Sequence, residues 1–293
     1  MLDSERLYVE LLFSTSKKYA SWDPEVPVRC GDWGRITAGS PGWAFWRKRR
    51  GIFLKEGNIY QDGKAKIWGI PPPTEHGIDS DEGVTWITSK NAHETDASVN
   101  VEGWVIIILS SRIQTYSQSS SHATVLMDCK IQGTFKFSSG QGAILVMDND
   151  TISTIDPPGS LRRLLDDPTM QGHVIVSEVH RCDSYARLLT LQSDSKVAIG
   201  LRVDSATGLA GANTDAKWVR STTSGNFKFK VNKPGNRDFY PLFRLVSIEK
   251  TSVTTGMRGM DPWDSDESLE LPPLPDAEPP WITREKGQGQ QLR

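Results

Sequence analysis

Alternation along one stretch, residues 95–137, constrains this chain more than any other feature. Every second residue from Thr95 to Leu109 (Ala97, Val99, Val101, Gly103, Val105, Ile107, Leu109) is apolar or glycine after the first. Asp96, Ser98, Asn100 and Glu102 stand between them. The pattern returns as Ala123, Val125, Met127, Cys129, Ile131, Gly133, Phe135 and Phe137, with Thr124, Leu126, Asp128, Lys130, Gln132, Thr134 and Lys136 between, polar but for Leu126. A period of two marks a strand with unlike faces. The two runs flank the polar segment Ser110–His122, so they read as arms of one long antiparallel hairpin. Ordinary strands hold about 5–6 residues, whereas each arm, at ~3.3 Å per residue, reaches roughly 50 Å. A tilted strand crosses a bilayer in about 9–11 residues. The same pattern also serves a soluble sheet with one wet face, and alternation alone does not choose between them.

The composition permits a sizeable core: 37% of the 293 residues are hydrophobic and 24% charged, enough for one large domain or two modest ones. A net charge of −2 lacks the bulk basic character of a nucleic-acid binder. No apolar run approaches the ~18 residues of a membrane helix. The N-terminus, MLDSERLYVELLF, is acidic before it is apolar and has no basic n-region, so no signal peptide is expected. Cys30, Cys129 and Cys182 are odd in number and widely spaced, which fits neither a disulfide framework nor zinc and points to a reducing cytosol.

Residues 4–20 read as a first helix, with Ser4 as N-cap, a stripe of Leu7, Leu11, Tyr8 and Leu12, and Lys17 and Lys18 at the end where cations suit the helix dipole. Such a helix either packs on the body or touches a membrane. Trp43, Phe45 and Trp46 stand directly before Arg47, Lys48, Arg49 and Arg50. Rings at headgroup depth beside cations suit an anionic bilayer surface, where each cation contributes about 1 kcal/mol; a solvated strand end has the same composition. Short strands and turns follow over 51–92, with turns at Gly57-Asn58 and Asp62-Gly63 and a stiff connector at Pro71, Pro72 and Pro73. Ala143–Met147 reads as a buried strand. Ser160 opens a short helix, SLRRLLDD, with Leu161, Leu164 and Leu165 inward and i,i+4 pairs Arg162–Asp166 and Arg163–Asp167. Strands are expected at 173–179, 186–192 and 196–203, the last two joined as a hairpin through Ser193-Asp194-Ser195. Phe227, Phe229 and Val231 alternate with lysines, and 237–249 closes the core. The tail from 250 to 293 is acidic and Pro-rich, expected as disordered or loosely docked.

Catalysis finds little footing. Gly140-Gln141-Gly142 lacks the third glycine and the helix of a dinucleotide site. The five histidines are dispersed, without HExxH or a Cys/His cluster. Ser177, Glu178, His180 and Asp183 are close in sequence, but Ser177 and His180 point to opposite faces of a strand. Asp148-Asn149-Asp150 lacks the remaining ligands of a calcium loop. No enzyme activity, cofactor or metal is expected.

VRCGDWGRITAG, GIFLKEGNIYQDGKA, VTWITSKNA, VIVSEVHRCDSYARLL and SGNFKFKVNKPGNRDFYPLFRLV resemble the fungal gasdermin-like proteins of the regulator-of-cell-death and heterokaryon-incompatibility group. The likeness covers roughly residues 5–249. It implies an α+β domain, a twisted antiparallel sheet with packed helices, whose long hairpins refold into a membrane β-barrel. It also implies a cytoplasmic monomer that acts at the cell membrane, binding anionic phospholipid and assembling with itself. By this resemblance residues 4–20, with Lys17 and Lys18, and the loop of Trp43, Phe45, Trp46, Arg47, Lys48, Arg49 and Arg50 contact lipid. Hairpin one is 95–137, inserting Val99, Val101, Val105, Ile107, Val125, Met127, Ile131 and Phe135; hairpin two lies near 173–203. Residues 1–249 form the pore-forming domain and 250–293 a regulatory tail, removed by a serine protease cutting within Phe239–Arg258 or displaced by an allelic partner. No nucleic-acid partner is expected. The rival reading is a soluble adaptor or lectin-like module whose hairpin stays in a sheet.

Overall fold

The structure, a computed structural model, describes residues 3–37, 52–77, 83–95, 129–138, 140–191, 196–204, 215–221, 224–233, 235–250 and 271–282. Helix α1 (Ser4–Ser16) leads through β1 (Tyr19–Ala20), β2 (Asp32–Ile36) and β3 (Phe53–Asn58) to the one-turn helix α2 (Lys64–Ile67). Then come β4 (Thr74–His76), β5 (Val84–Thr88), β6 (Ala92–Glu94), β7 (Cys129–Phe137), β8 (Gly142–Asp148) and β9 (Thr151–Thr154). A 3-10 helix (Pro158–Asp166) precedes β10 (His173–Cys182), β11 (Ser184–Thr190), β12 (Lys196–Asp204), β13 (Asp215–Arg220), β14 (Asn226–Val231) and β15 (Phe239–Ile248). Among the described residues, no helix is long and apolar enough to cross a membrane.

Among the described residues all strand pairings are antiparallel, and the strands form three open sheets, none of them a barrel. The first runs β1-β15-β10-β2-β3, with β9 sharing the β2 side of β10 and β4 beyond β9. The second runs β14-β11-β8-β5 and the third β13-β12-β7-β6. Helix α1 lies between the first two sheets. Its Val9 and Phe13 join a core with Ile175, Val179, Phe243 and Leu245 of the first. Its Leu7, Tyr8 and Leu12 join another with Leu145, Met147, Tyr185 and Leu189 of the second. Burial on two sides explains why the helical stripe is broad. The cap is Asp3, whose carboxylate accepts from the Glu5 amide at 3.1 Å, and not Ser4. Lys17 ends the helix with φ 58°, its amide returning to the Phe13 carbonyl.

The second sheet is covered on both faces, by α1 on one and by the third sheet on the other. Ile144, Val146, Ala186 and Leu188 meet Phe135, Phe137, Val197, Ile199 and Trp218 in this second interface. Strands buried on both sides need no alternation, which is why Ala143–Met147 is a continuous apolar run.

Several local expectations are corrected. The Pro158–Asp166 element is 3-10, so residues four apart leave the shared face. Instead of the expected pairs, Arg163 donates to the Trp68 and Gly69 carbonyls, while Asp167 binds Lys64. Gly57-Asn58 is not a turn; it lies in β3 opposite Trp33 and Asp32, beside a bulge at Glu56. The one-turn α2 lies within the stretch expected to hold only strands and turns. The expected hairpin of 186–192 with 196–203 does not form: β11 pairs with β8 and β14, β12 with β7 and β13.

Candidate functional site

Two hairpins are each bent once and lie side by side. In the first, β5–β6 runs against β7–β8 (β5 on β8, β6 on β7). In the second, β11–β12 runs against β13–β14. They join through β8 on β11 and β7 on β12. The second and third sheets are therefore two halves of one four-stranded ribbon folded over on itself. The antiparallel pairing in this part of the chain spans 184–231, and β10, at the start of the expected 173–203, belongs to the first sheet.

The central pair has the same offset on both sides of the bend, with one bulge further along, between Ile199 and Gly200. Thr190 faces Gly142 on one side of it and Lys196 faces Lys136 on the other, six residues further along both strands. The bend is held by side chains standing in for ladder groups and by one backbone bond. The Ala143 amide donates to Ser89 Oγ at 3.0 Å, the Asn91 amide group to the Gln141 carbonyl at 2.9 Å, and the Ser138 amide to the Asn91 carbonyl at 2.9 Å. On the second hairpin the Ala198 amide donates to Ser221 Oγ at 2.9 Å.

The pairing expected to begin at Thr95 begins earlier in the chain, and residues 96–128 of it lie outside the described residues. Ala92–Glu94 pairs with Phe135–Phe137, and the Thr95 amide donates to the Thr134 carbonyl at 2.8 Å. Phe135 is buried in the fold between the two halves, 4.9 Å from the Trp86 ring. Ile131 lies in β7 opposite Gly200. Val99, Val101, Val105, Ile107, Val125 and Met127 lie outside the described residues, as do Trp43, Phe45, Trp46, Arg47, Lys48, Arg49 and Arg50. Lys17 is exposed, its ammonium 5.6 Å from the Phe13 ring centre.

Lys18 turns inward, into a buried charge cluster that joins the first sheet to the ribbon. It pairs with Glu178 and lies 2.8 Å from His180 Nε2. His180 Nδ1 lies 3.0 Å from Asp150, which also accepts from the Thr85 hydroxyl at 2.6 Å. Burial raises the Glu178 carboxyl, but hydrogen bonds from His180 and Lys18 outweigh it and hold it at about 2. Burial pushes the His180 imidazole down, while its bonds to Asp150 and Glu178 push it further up, so its pKa is raised. Asp150, raised by burial and lowered by His180 and Thr85, ends below its ordinary value. Of the four residues grouped by sequence, Glu178 and His180 share this cluster. Asp183 instead accepts from Asn149 at 3.0 Å, and the Ser177 carbonyl accepts from the Ile155 amide. The partners missed were Lys18 and Asp150; the legible signal was that Glu178 and His180, two apart on a strand, share a face.

The tail docks on the body over 271–282. Its Asp276 bridges Val246. The Ser247 amide donates to the Pro275 carbonyl and the Ala277 amide to the Leu245 carbonyl, both at 2.9 Å. Since β10 holds the other edge of β15, the tail continues the edge that β1 begins at Leu242 and Phe243. Leu274, Ala277 and Trp281 are buried in the core of α1 and the first sheet. Arg244 donates to Asp276 at 2.6 Å, the Tyr19 hydroxyl donates to the Ala277 carbonyl at 2.8 Å, and Arg6 lies over the Trp281 ring. At Gly159 any side chain would strike the Leu271 carbonyl, 1.7 Å from a Cβ there. Arg244 is also the cross-strand partner of Glu178, so the tail and the buried cluster meet at β15 and β10.

No family model, curated protein or solved structure matches the chain. The described residues hold a ribbon folded over its own apolar face, a charge cluster where it meets the first sheet, and a tail clamped across the helix and that sheet.

Proposed function

We propose that the chain is a gasdermin-like pore-forming effector of regulated cell death, in the manner of fungal allorecognition. The α+β pore-forming domain waits as a cytoplasmic monomer under its tail. Proteolytic removal of the tail, or a partner that displaces it, frees the domain to bind anionic phospholipid, oligomerise and build a membrane β-barrel.

The observation that carries this reading is the equal offset of β8 on β11 and of β7 on β12 at the two sides of the bend, Thr190 facing Gly142 and Lys196 facing Lys136. A ribbon whose central strands keep one offset on both sides of the bend can straighten without exchanging strand partners. Straightened, Cys129–Asp148 would span roughly 60 Å at ~3.3 Å per residue, well beyond the ~30 Å of a bilayer core. Phase supports it as well. Phe135 and Phe137 now share an interface with Ile144 and Val146, so the bend shifts the alternation by one residue. Remove that shift and Gly133, Phe135, Phe137, Ala143, Leu145 and Met147 fall on one face, continuing the apolar set of 123–131. Polar Ser139 and Gln141 are the interruptions.

The test is dye release from liposomes containing anionic lipid. The chain ended after Glu249 should permeabilise them and the full chain should not. Alanine at Arg47, Lys48, Arg49 and Arg50 should reduce release, and Asp at Val125 or Ile131 should abolish it while sparing binding. No release from the shortened chain, with or without a partner, would reject the reading.

A further inference from the structure

Three cations share one face at the edge of the ribbon. Arg187 on β11 stands opposite Lys228 on β14, and Tyr185 opposite Lys230. Residues so paired project to the same side of a sheet. On the other flank Leu145 and Met147 stand opposite Arg187 and Tyr185, so the cations border an apolar face.

The loop after β1 covers them. Lys228 Nζ lies 2.9 Å from carboxylate oxygens of both Asp23 and Glu25, and Lys230 pairs with Glu25. Glu25 also accepts from the Tyr185 hydroxyl at 3.2 Å. The Lys230 bond, working against burial and aided by Lys228, holds the Glu25 carboxyl at about 2. Trp22 closes over Arg187, 3.5 Å from guanidinium carbon to ring centre. Arg187 is only 3% exposed, yet its Nε has no hydrogen-bond partner. A buried guanidinium with an unused donor is costly. It is suited to an oxyanion, which the guanidinium fork and two ammonium groups together would grip.

We propose that Arg187, Lys228 and Lys230 form a binding site for the headgroup phosphate of an anionic phospholipid, which Asp23 and Glu25 occupy as internal substitutes until the Trp22–Glu25 loop moves aside. The choice of a lipid phosphate rests on the membrane reading above. Cations on an apolar ribbon face are expensive in hydrocarbon and favourable at headgroup depth. The row therefore also sets where the inserted ribbon stops.

The test uses the full chain and cosedimentation with vesicles of phosphatidylserine and phosphatidylcholine, against phosphatidylcholine alone. D23N/E25Q keeps side-chain shape and removes both substitutes. It should raise binding to the anionic vesicles on the order of tenfold and leave binding to neutral vesicles unchanged. D166N/D238N makes the same charge change at two exposed carboxylates elsewhere and should not raise it. Adding K228A/K230A to D23N/E25Q should cancel the gain. Should the paired variant melt, E25Q alone carries the test with a smaller gain. Equal gains in both charge variants, no gain in D23N/E25Q or E25Q, or a gain that survives K228A/K230A would each overturn the site. So would inorganic phosphate at millimolar concentration abolishing the gain, since the ligand would then be free phosphate. Binding is read without leakage, so a chain that binds and never leaks refutes the pore and leaves this site standing.

Discussion

Phe137 stands over Gly142 at the bend of the central strands, so close that a Cβ on the glycine would lie 2.1 Å from the ring. The folded ribbon therefore requires a glycine here, while a straight one would carry the two residues apart. Gly142→Val should lower the melting temperature of the full chain by several degrees, as expected for ~1–3 kcal/mol of overpacking. In the chain ended after Glu249 it should lower the concentration needed for liposome leakage. A variant that melts lower yet leaks no more readily would show that this bend is not undone.

Leu274 and Asp276 anchor the tail by different means, one buried in the core and one on Arg244. Leu274→Ala should cost ~2–5 kcal/mol and free the segment. Asp276→Asn should cost less, because the Arg244 ion pair is partly solvated. Hydrogen exchange at the Ala277 amide, which is bonded to the Leu245 carbonyl, reads both. Exchange should quicken strongly in the first variant and modestly in the second; unchanged protection in Leu274→Ala would mean that the tail is held elsewhere.

Much of the strand content was legible because burial leaves a mark on local sequence. Ala143–Met147 is apolar on both faces and is covered on both; Phe135 and Phe137 alternate with Thr134 and Lys136 and border only one interface. What failed were statements about partners. Ser193-Asp194-Ser195 resembles a hairpin turn, yet β11 and β12 do not pair with each other. Nothing within 184–204 reveals that its ladders are completed by β7, β8, β13 and β14. The buried cluster was half visible for the same reason. Glu178 and His180 share a face by spacing, but Lys18 and Asp150 reach them only through tertiary packing. The tail was read from its prolines, while Leu274, Ala277 and Trp281 find a groove that exists only once α1 and β15 are packed.

Lys17 and Lys18 adjoin in sequence but differ in environment. Lys18→Met leaves Glu178 without its ammonium partner and should cost a few kcal/mol, below the ~3–5 of a fully buried pair. Lys17→Met, at an exposed cap, should leave the melting temperature nearly unchanged. Equal effects would contradict the inward placement of Lys18.

The same cluster gives stability a pH window. His180 has a raised pKa, so its contribution is complete below its ordinary value of 6.5 and is lost as pH rises through the raised one. Glu178 is depressed, so its contribution is complete above its ordinary value of 4.5 and is lost as pH falls towards about 2. Melting temperature against pH should therefore fall on both sides. His180→Gln should flatten the alkaline fall, and Glu178→Gln should flatten the acid one. An alkaline limb that persists unchanged in His180→Gln would assign it to another group.

The most direct test of the ribbon is an environment-sensitive fluorophore placed singly at 133–137 and 143–147, in the chain ended after Glu249 and bound to anionic vesicles. The expected result is a two-residue alternation in one phase along both lengths, with hydrocarbon-like signals at Phe135 and Phe137, headgroup-depth signals at Leu145 and Met147, which stand opposite Arg187 and Tyr185, and aqueous ones at Thr134, Lys136, Ile144 and Val146. Aqueous signals at Phe135 and Phe137, or Ile144 and Val146 remaining in phase with them as in the bent form, would contradict a ribbon that straightens into the membrane.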